Sequence, residues 1–411
     1  MSTAVMPRHA RPTAGPVRGI YLPRTADALA FAMSTYGIPL LVLATTRSAE
    51  LTGAAFALEW IPRLAAFGWA GALVDRRGAA VVMHLASLGR ALMLAAGAVL
   101  LHLHPSGPAA GVTVMVLAAT TGVLTECSYV GAETAGAAAG RRAGRGAHRV
   151  QAVLLGIDQS AGLAGPALAG ALLMAGAPVM LAASCGFSLL AAVLALRTPP
   201  SPVVPARAPK TRPGSGLSTG LRTIRSLPAL GWLVGGLALS NLASGLFQAA
   251  GPVIVVQQYG QSTTAVGLVW SAAAAATLVA VTVCRFALDR LGLWPVGAVC
   301  AAIASLATLA AARAPGYPSY LVLVAVLMAA EGGLTVVLRT LRSRLIPPEK
   351  AGTTLSATIL ILLLPFPAAG ALTALTPPDR LGHVITACAA LQALGLGVAF
   401  ARLRTDPALR T

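Results

Sequence analysis

The residues that invite chemistry here are ionisable side chains set inside apolar stretches: Asp27, Glu59, Arg63, Arg90, Glu126, Asp158 and Glu331. A charge placed in hydrocarbon costs a few kcal/mol, so each of these groups needs a partner or a task. A buried carboxyl can take up and release a proton, and an ionised one can hold a cation. Asp27 follows Arg24 by three residues and either pairs with it or faces an interior cavity. Glu59 and Arg63 stand at i,i+4 in the favourable order for an intrahelical ion pair. The alternative is that Glu59 releases Arg63 on protonation or on ligand binding. Glu126 and Glu331 have no basic residue one turn away on either side, which suits coordination of a cation or carriage of a proton. Asp158, beside Gln159, offers the same chemistry. Arg90 is isolated on its own run and must find an acid on another segment, while Glu133 and Arg339 fall near segment ends.

Other chemistries lack their residues. The six histidines show no metal-ligand or catalytic-triad spacing, and no Gly-rich phosphate loop followed by Lys is present. Cys127, Cys185, Cys284, Cys300 and Cys388 all lie in apolar runs and read as small core residues. No enzyme activity, cofactor or metal site is expected. The formal net charge is +18, yet the basic residues form no patch interleaved with aromatics, so nucleic acid is not the partner.

The elements that position these groups follow from composition. Hydrophobic residues make up 56% of the chain and the mean hydropathy is +0.78, more apolar surface than a soluble domain can hide. Apolar runs recur near residues 22–45, 52–73, 79–102, 109–132, 150–173, 175–196, 229–256, 264–285, 294–312, 319–340, 353–375 and 381–402. Each is long enough, as a helix, to cross about 30 Å of hydrocarbon. The fold class is therefore an all-α membrane protein of twelve spans embedded in a lipid bilayer. Residues 1–20 read as a polar tail without a signal peptide's apolar core, and 404–411 as a second tail. Residues 197–227 are basic, Pro-rich and free of acids, so they read as a mobile linker between a bundle at 21–196 and one at 228–403. Arg47, Arg313 and Arg380 fall in loops of one side, whereas nearly all other Lys and Arg fall with the tails, the linker and the opposite loops. That bias places both termini and the linker in the cytoplasm.

A shift of 214 residues brings the halves into register. Asp27 falls on Asn241, Gly37 on Gly251, Ser48 on Ser262, Gly53 on Gly267, Asp75 on Asp289, Arg76 on Arg290 and Gly78 on Gly292. "ALVDRRG" thus repeats as "FALDRLG" after the second helix of each half, as in parallel-repeat transporters. Only one copy of the Asp27 position can titrate, since Asn241 cannot.

The G-x-L-x-D-R-x-G turn and its echo resemble the cytoplasmic signature of the major facilitator superfamily, over nearly the whole chain. The resemblance implies two bundles that rock about a substrate site in a cell-membrane transporter. It also implies a latch at Gly71, Asp75, Arg76, Gly78, Asp289, Arg290 and Gly292 that holds the cytoplasmic side shut. In that latch Gly71 and Gly78 allow close helix approach and a tight reversal, and Asp75 accepts from a helix N-terminus. "GIDQSAGLAGPALAG" places Gly162, Gly165, Pro166 and Gly170 in the fifth span and resembles the fifth-helix motif of family exporters, with Ala161 and Ala169 in place of two of its glycines. "ALEWIPRLAAFGWAGALVDRRG" and "RSRLIPPEKAG" resemble the enterobactin-exporter-like branch. Many family exporters carry an Arg in helix four, where this chain has Thr120, Thr121 and Glu126. The resemblance implies proton-coupled efflux of an amphipathic drug, siderophore or secondary metabolite by a monomer; the alternative is uptake of a small nutrient by the same fold.

Overall fold

The computed structural model describes residues 17–143, 147–198, 215–346 and 351–404. Most of both tails, and residues 199–214 of the linker, lie outside the described residues. Six long helices form the first half: α1 (Leu22–Thr46), α2 (Ala49–Arg77), α3 (Ala79–Leu103), α4 (Pro108–Ala143), α5 (Ala147–Met174) and α6 (Ala177–Ala195). A short helix follows, α7 (Ser215–Ser226). The remainder is α8 (Pro228–Val253), α9 (Thr263–Leu291), α10 (Leu293–Ala311), α11 (Tyr317–Leu345), α12 (Ala351–Leu363), α13 (Pro365–Leu375) and α14 (Leu381–Leu403). Among the described residues, ten helices are long and apolar enough to cross a membrane. The helices α2 and α5, at 29 and 28 residues, stand in the bundle beside them. Outward-facing Leu92, Val283 and Leu306 are largely exposed, as a surface that meets lipid tails requires.

Two features depart from the sequence reading. Part of the linker is helical: Gly220, Thr223 and Ile224 of α7 are buried at helical spacing, and α7 packs on α12 and α8. The span expected at 353–375 is interrupted at Leu364, because Pro365 and Pro367 each withdraw a backbone N–H. Asn241 supports the interruption by donating from Nδ2 to the Leu362 carbonyl at 2.7 Å.

The repeat positions do equivalent work in the two halves. Ser48 and Ser262 cap α2 and α9, accepting from the backbone N–H of Leu51 and Ala265. Gly78 and Gly292 both adopt φ +85°, a conformation that side chains resist, and so make the reversals into α3 and α10. Within the first half α1 packs on α5 and α6, and α3 on α4 and α6; within the second, α8 packs on α14 and α13, and α9 on α11.

The halves meet along α2–α13 and α5–α9. A side chain at Gly53 would strike the α13 backbone at Ala374 and Gly370, and one at Gly370 would strike Ala57. A side chain at Gly267 would strike the Pro166 carbonyl, and one at Gly170 would strike Thr263. Thr263 Oγ1 donates to the Gly170 carbonyl at 3.0 Å, and Ser271 Oγ to the Leu163 carbonyl at 2.6 Å. All these crossings sit toward the end of the bundle that carries Arg47, not the end that carries Asp75. The backbone contact they permit is the packing that holds helices together where water supplies no hydrophobic drive.

Gly267→Val should push α9 from α5 by about 1–2 Å, given how interaxial distance follows side-chain size. Spin labels at the exposed positions Leu168 and Leu268 measure this separation. The distribution should lengthen in Gly267→Val and stay unchanged in Gly186→Val, where nothing lies within 4 Å of the added carbon.

Candidate functional site

Three arginines of the first half organise the charges in its interior, and each reaches an acid on a different helix. Arg24 on α1 forks onto Asp158 of α5, with Nε to Oδ1 at 2.7 Å and Nη2 to Oδ2 at 2.6 Å. Its Nη2 also donates to Glu133 Oε1 of α4 at 2.6 Å. The guanidinium is buried, but the Glu133 and Asp158 side chains are 53% and 34% exposed, so this cluster opens to solvent. Tyr129 lies under Arg24, 5.3 Å from guanidinium carbon to ring centre.

Arg90 on α3 is fully buried and donates from Nη2 to Asp27 Oδ1 at 2.8 Å. Its other nitrogens reach Ser188 at 3.0 Å, Ser128 at 3.3 Å and Thr125 at 3.4 Å. This pair ties α1, α3, α4 and α6 together and has no solvent access. Asp27 therefore neither pairs with Arg24 nor stands in an open cavity: Arg24 projects toward α4 and α5, whereas Asp27 projects toward α3.

The third cluster lies beside the seam between halves. Arg63 Nε donates to Glu126 Oε2 at 2.8 Å, and both side chains are buried. The guanidinium is stacked over Trp60 at 4.4 Å and Phe31 at 4.9 Å. Glu59 sits one turn before Arg63, buried, and its Oε2 has no hydrogen-bond partner. The expected Glu59–Arg63 ion pair is thus replaced by a bond across helices, because the two rings hold the guanidinium sideways between α2 and α4. Gly122 makes that crossing close, since a side chain there would meet the Glu59 carbonyl. Trp60 stacks on Phe366 of α13 at 4.3 Å, joining this cluster directly to the second half.

On the Asp75 side of the α5–α9 crossing, a groove of about 490 Å³ runs between α1 and α5. Leu29, Ile157, Ala161 and Ala164 give it an apolar wall, and Thr25 and Ser160 its polar groups. Gly165 brings α5 onto the Ala32–Met33 backbone beside it, and Gly162 lies 3.9 Å from Ala274 in the sense of an added carbon. In the second half, Glu331 of α11 accepts from Ser240 Oγ at 2.7 Å.

At the other end, Arg76, Asp289 and Arg290 are exposed, and the side chain of Asp75 lies outside the described residues. Nothing lies within 4 Å of an added carbon at Gly71, so the close approach expected there is not made in this conformation. The sequence left the partner of Arg90 open, offered Asp27 for Arg24 where the structure gives Asp158 and Glu133, and left the roles of Tyr129, Phe31 and Ser240 unseen. Cross-helix contacts leave no local spacing to read.

The helical architecture and a charged interior split between two packed halves define a secondary-transporter fold. Residues 25–370 match the Major Facilitator Superfamily, and the chain belongs to it. No curated protein matches the sequence significantly. Among solved structures, a bacterial homologue of the iron transporter ferroportin in an inward-facing state aligns with TM-score 0.71 at 17% identity, over 94% of this chain and 98% of that one. A bacterial metal transporter aligns with TM-score 0.68 at 14% identity, over 96% of this chain and all of the other. A D-xylose–proton symporter aligns with TM-score 0.69 at 15% identity, over 92% and 96%. These likenesses establish the fold, and membership of the family together with the apolar helices makes the chain a multi-pass membrane transporter.

Removing one partner of the Arg90–Asp27 pair strands a buried charge, at a cost of about 3–5 kcal/mol. Arg90→Leu should therefore lower the unfolding temperature in detergent sharply. The double variant Arg90→Leu/Asp27→Leu should recover part of that loss, and failure to recover any would deny the pairing.

Proposed function

We propose that this protein is a proton-coupled exporter of an amphipathic small molecule, a drug, siderophore or other secondary metabolite, working by alternating access. The observation that carries the reading is a mismatch of charge: Arg63 stands among two membrane-embedded carboxylates and bonds only Glu126. A carboxylate buried without a partner is costly, so Glu59 is neutral when it holds a proton or a cationic group of the cargo. Proton gain and loss at Glu59 decides whether Arg63 is shared between two acids or belongs to one.

That decision is taken where the halves touch. Trp60 lies under the guanidinium and also stacks on Phe366, so a shift of Arg63 changes a contact across the seam. The bias of Lys and Arg supports a cytoplasmic Asp75 end in the cell membrane, with both termini and the linker inside. The closed Arg47 end is then external, and the α1–α5 groove receives cargo from the cytoplasm. On the same orientation Gly71, Asp75, Arg76, Gly78, Asp289, Arg290 and Gly292 form a latch that engages when the cytoplasmic end closes. Two further features support export: of the exporter-type residues, Pro166 and Gly170 make close contacts at the seam while Gly165 packs α5 on α1, and the groove is apolar with few polar groups. A monomer suffices, since both halves that rock are in one chain.

The test is proton movement in inverted vesicles that contain the protein, measured with a panel of lipophilic drugs and siderophore-like chelators. Cargo addition should drive proton efflux from acid-loaded vesicles, and Glu59→Gln should reduce it to the level of protein-free vesicles. Cargo accumulation in whole cells that disappears with the protein would instead establish uptake. A panel that moves no protons in the wild type sinks the coupling claim.

A further inference from the structure

Two of the cysteines in the second half meet. Cys284 on α9 and Cys300 on α10 stand eight residues before and after the Gly292 reversal, so equal rise along the two helices brings them to one level of the bundle. Both are buried free thiols, and a hydrogen bond joins them. Helix α11 packs against both α9 and α10, and its Gly333 lies beside the pair. A carbon added at Gly333 would stand 2.5 Å from Cys300 Sγ and 2.9 Å from Cys284 Sγ, closer than such atoms approach. The two sulfurs thus converge on the one space that a missing side chain leaves. Glycine inside a helix costs about 0.5–1 kcal/mol relative to alanine, so its place on α11 needs a packing reason. Room for both sulfurs is that reason.

The chemistry of the pair is that of two soft ligands. A thiolate binds soft metal ions, and a thiol gives up its proton in doing so. Structural zinc asks for four ligands, and among the described residues no group of three or more His, Cys, Asp or Glu is gathered to hold a metal. Two sulfurs alone suit a soft ion that accepts linear, two-coordinate bonding. Both lie within 2.9 Å of one point, close enough for a single ion at metal–sulfur bonds of about 2.3 Å, the length that zinc makes. Two thiolates carry two negative charges, so a divalent ion leaves a neutral bridge, whereas a monovalent ion leaves a charged one that hydrocarbon penalises.

We propose that Cys284 and Cys300 form a binding site for a soft divalent metal ion of the mercuric class, held between the two thiolates beside Gly333. Two S–H bonds break, two metal–sulfur bonds form and two protons leave to water; nothing is oxidised or reduced. The bridge staples α9 to α10 alongside α11. Because α9 also meets α5 across the seam, an occupied site stiffens the second half at a helix that touches the first. Occupancy depends on neither the cargo nor the direction of transport.

The experiment is retention of mercuric chloride by the purified full-length protein in detergent, with excess glutathione to strip ions held by single thiols. Paired thiols keep such an ion through their high effective concentration. One mercury per chain should remain, with a rise in unfolding temperature, and X-ray absorption should find two sulfur neighbours around it. Cys284→Ser and Cys300→Ser should each abolish retention, whereas the triple variant Cys127→Ser/Cys185→Ser/Cys388→Ser should keep it. Methylmercury chloride, which can bond only one thiol, should not be retained. A wild type that holds no mercury against glutathione overturns the site, as does retention that survives Cys284→Ser or Cys300→Ser, or that the triple variant loses. The wild-type stoichiometry and the triple variant decide the matter even where Cys284→Ser or Cys300→Ser does not fold.

Discussion

A guanidinium inside hydrocarbon has to be neutralised, and the arrangement of the first half depends on that requirement. Arg24, Arg63 and Arg90 each reach an acid on another helix, at 2.6 to 2.8 Å. Each pair acts as a cross-link between helices that apolar packing alone would leave free to slide. The three differ in access. Arg90–Asp27 is sealed among hydroxyls and is structural, Arg24 holds two acids that reach water, and Arg63–Glu126 lies between these extremes beside an acid with no partner.

The constraint on the seam is steric. Gly53, Gly170, Gly267 and Gly370 let backbone meet backbone between the halves at one end. In the proposed mechanism, tight contact at one end, with a groove between α1 and α5 beyond it, is one of the two shapes that alternating access requires. The Trp60–Phe366 stack sits where this contact meets the Arg63 cluster, which gives a charge rearrangement a mechanical route to the other half.

Much of the fold was legible because bilayer thickness and backbone satisfaction restrict the choices so strongly. Apolar run length located the helices, and the 214-residue register paired Ser48 with Ser262 and Gly78 with Gly292, which proved to be matching caps and matching positive-φ turns. The break at Leu364 was signalled by Pro365 and Pro367 but hidden in an otherwise continuous apolar run. The charges themselves were legible as types and not as pairs. Spacing of i,i+4 suggested Glu59–Arg63, yet the Trp60 and Phe31 rings turn the guanidinium to α4, and no pattern within α2 carries that information. Likewise Arg24 and Asp27 share a helix and serve different neighbours. Glu331 stood out as an acid without a local base, but its relay through Ser240 to Gln392 joins residues 91 and 152 positions apart in one chain.

The central claim is that one guanidinium serves two buried acids, so that one of them holds the proton. Infrared spectroscopy of the carboxyl C=O stretch tests it most directly. The account requires a protonated-carboxyl band in the wild type that vanishes in Glu59→Gln. It also requires that band to vanish in Glu126→Gln, where Arg63 is released to ionise Glu59. A band that survives Glu126→Gln unchanged, or a wild type without one, would contradict it.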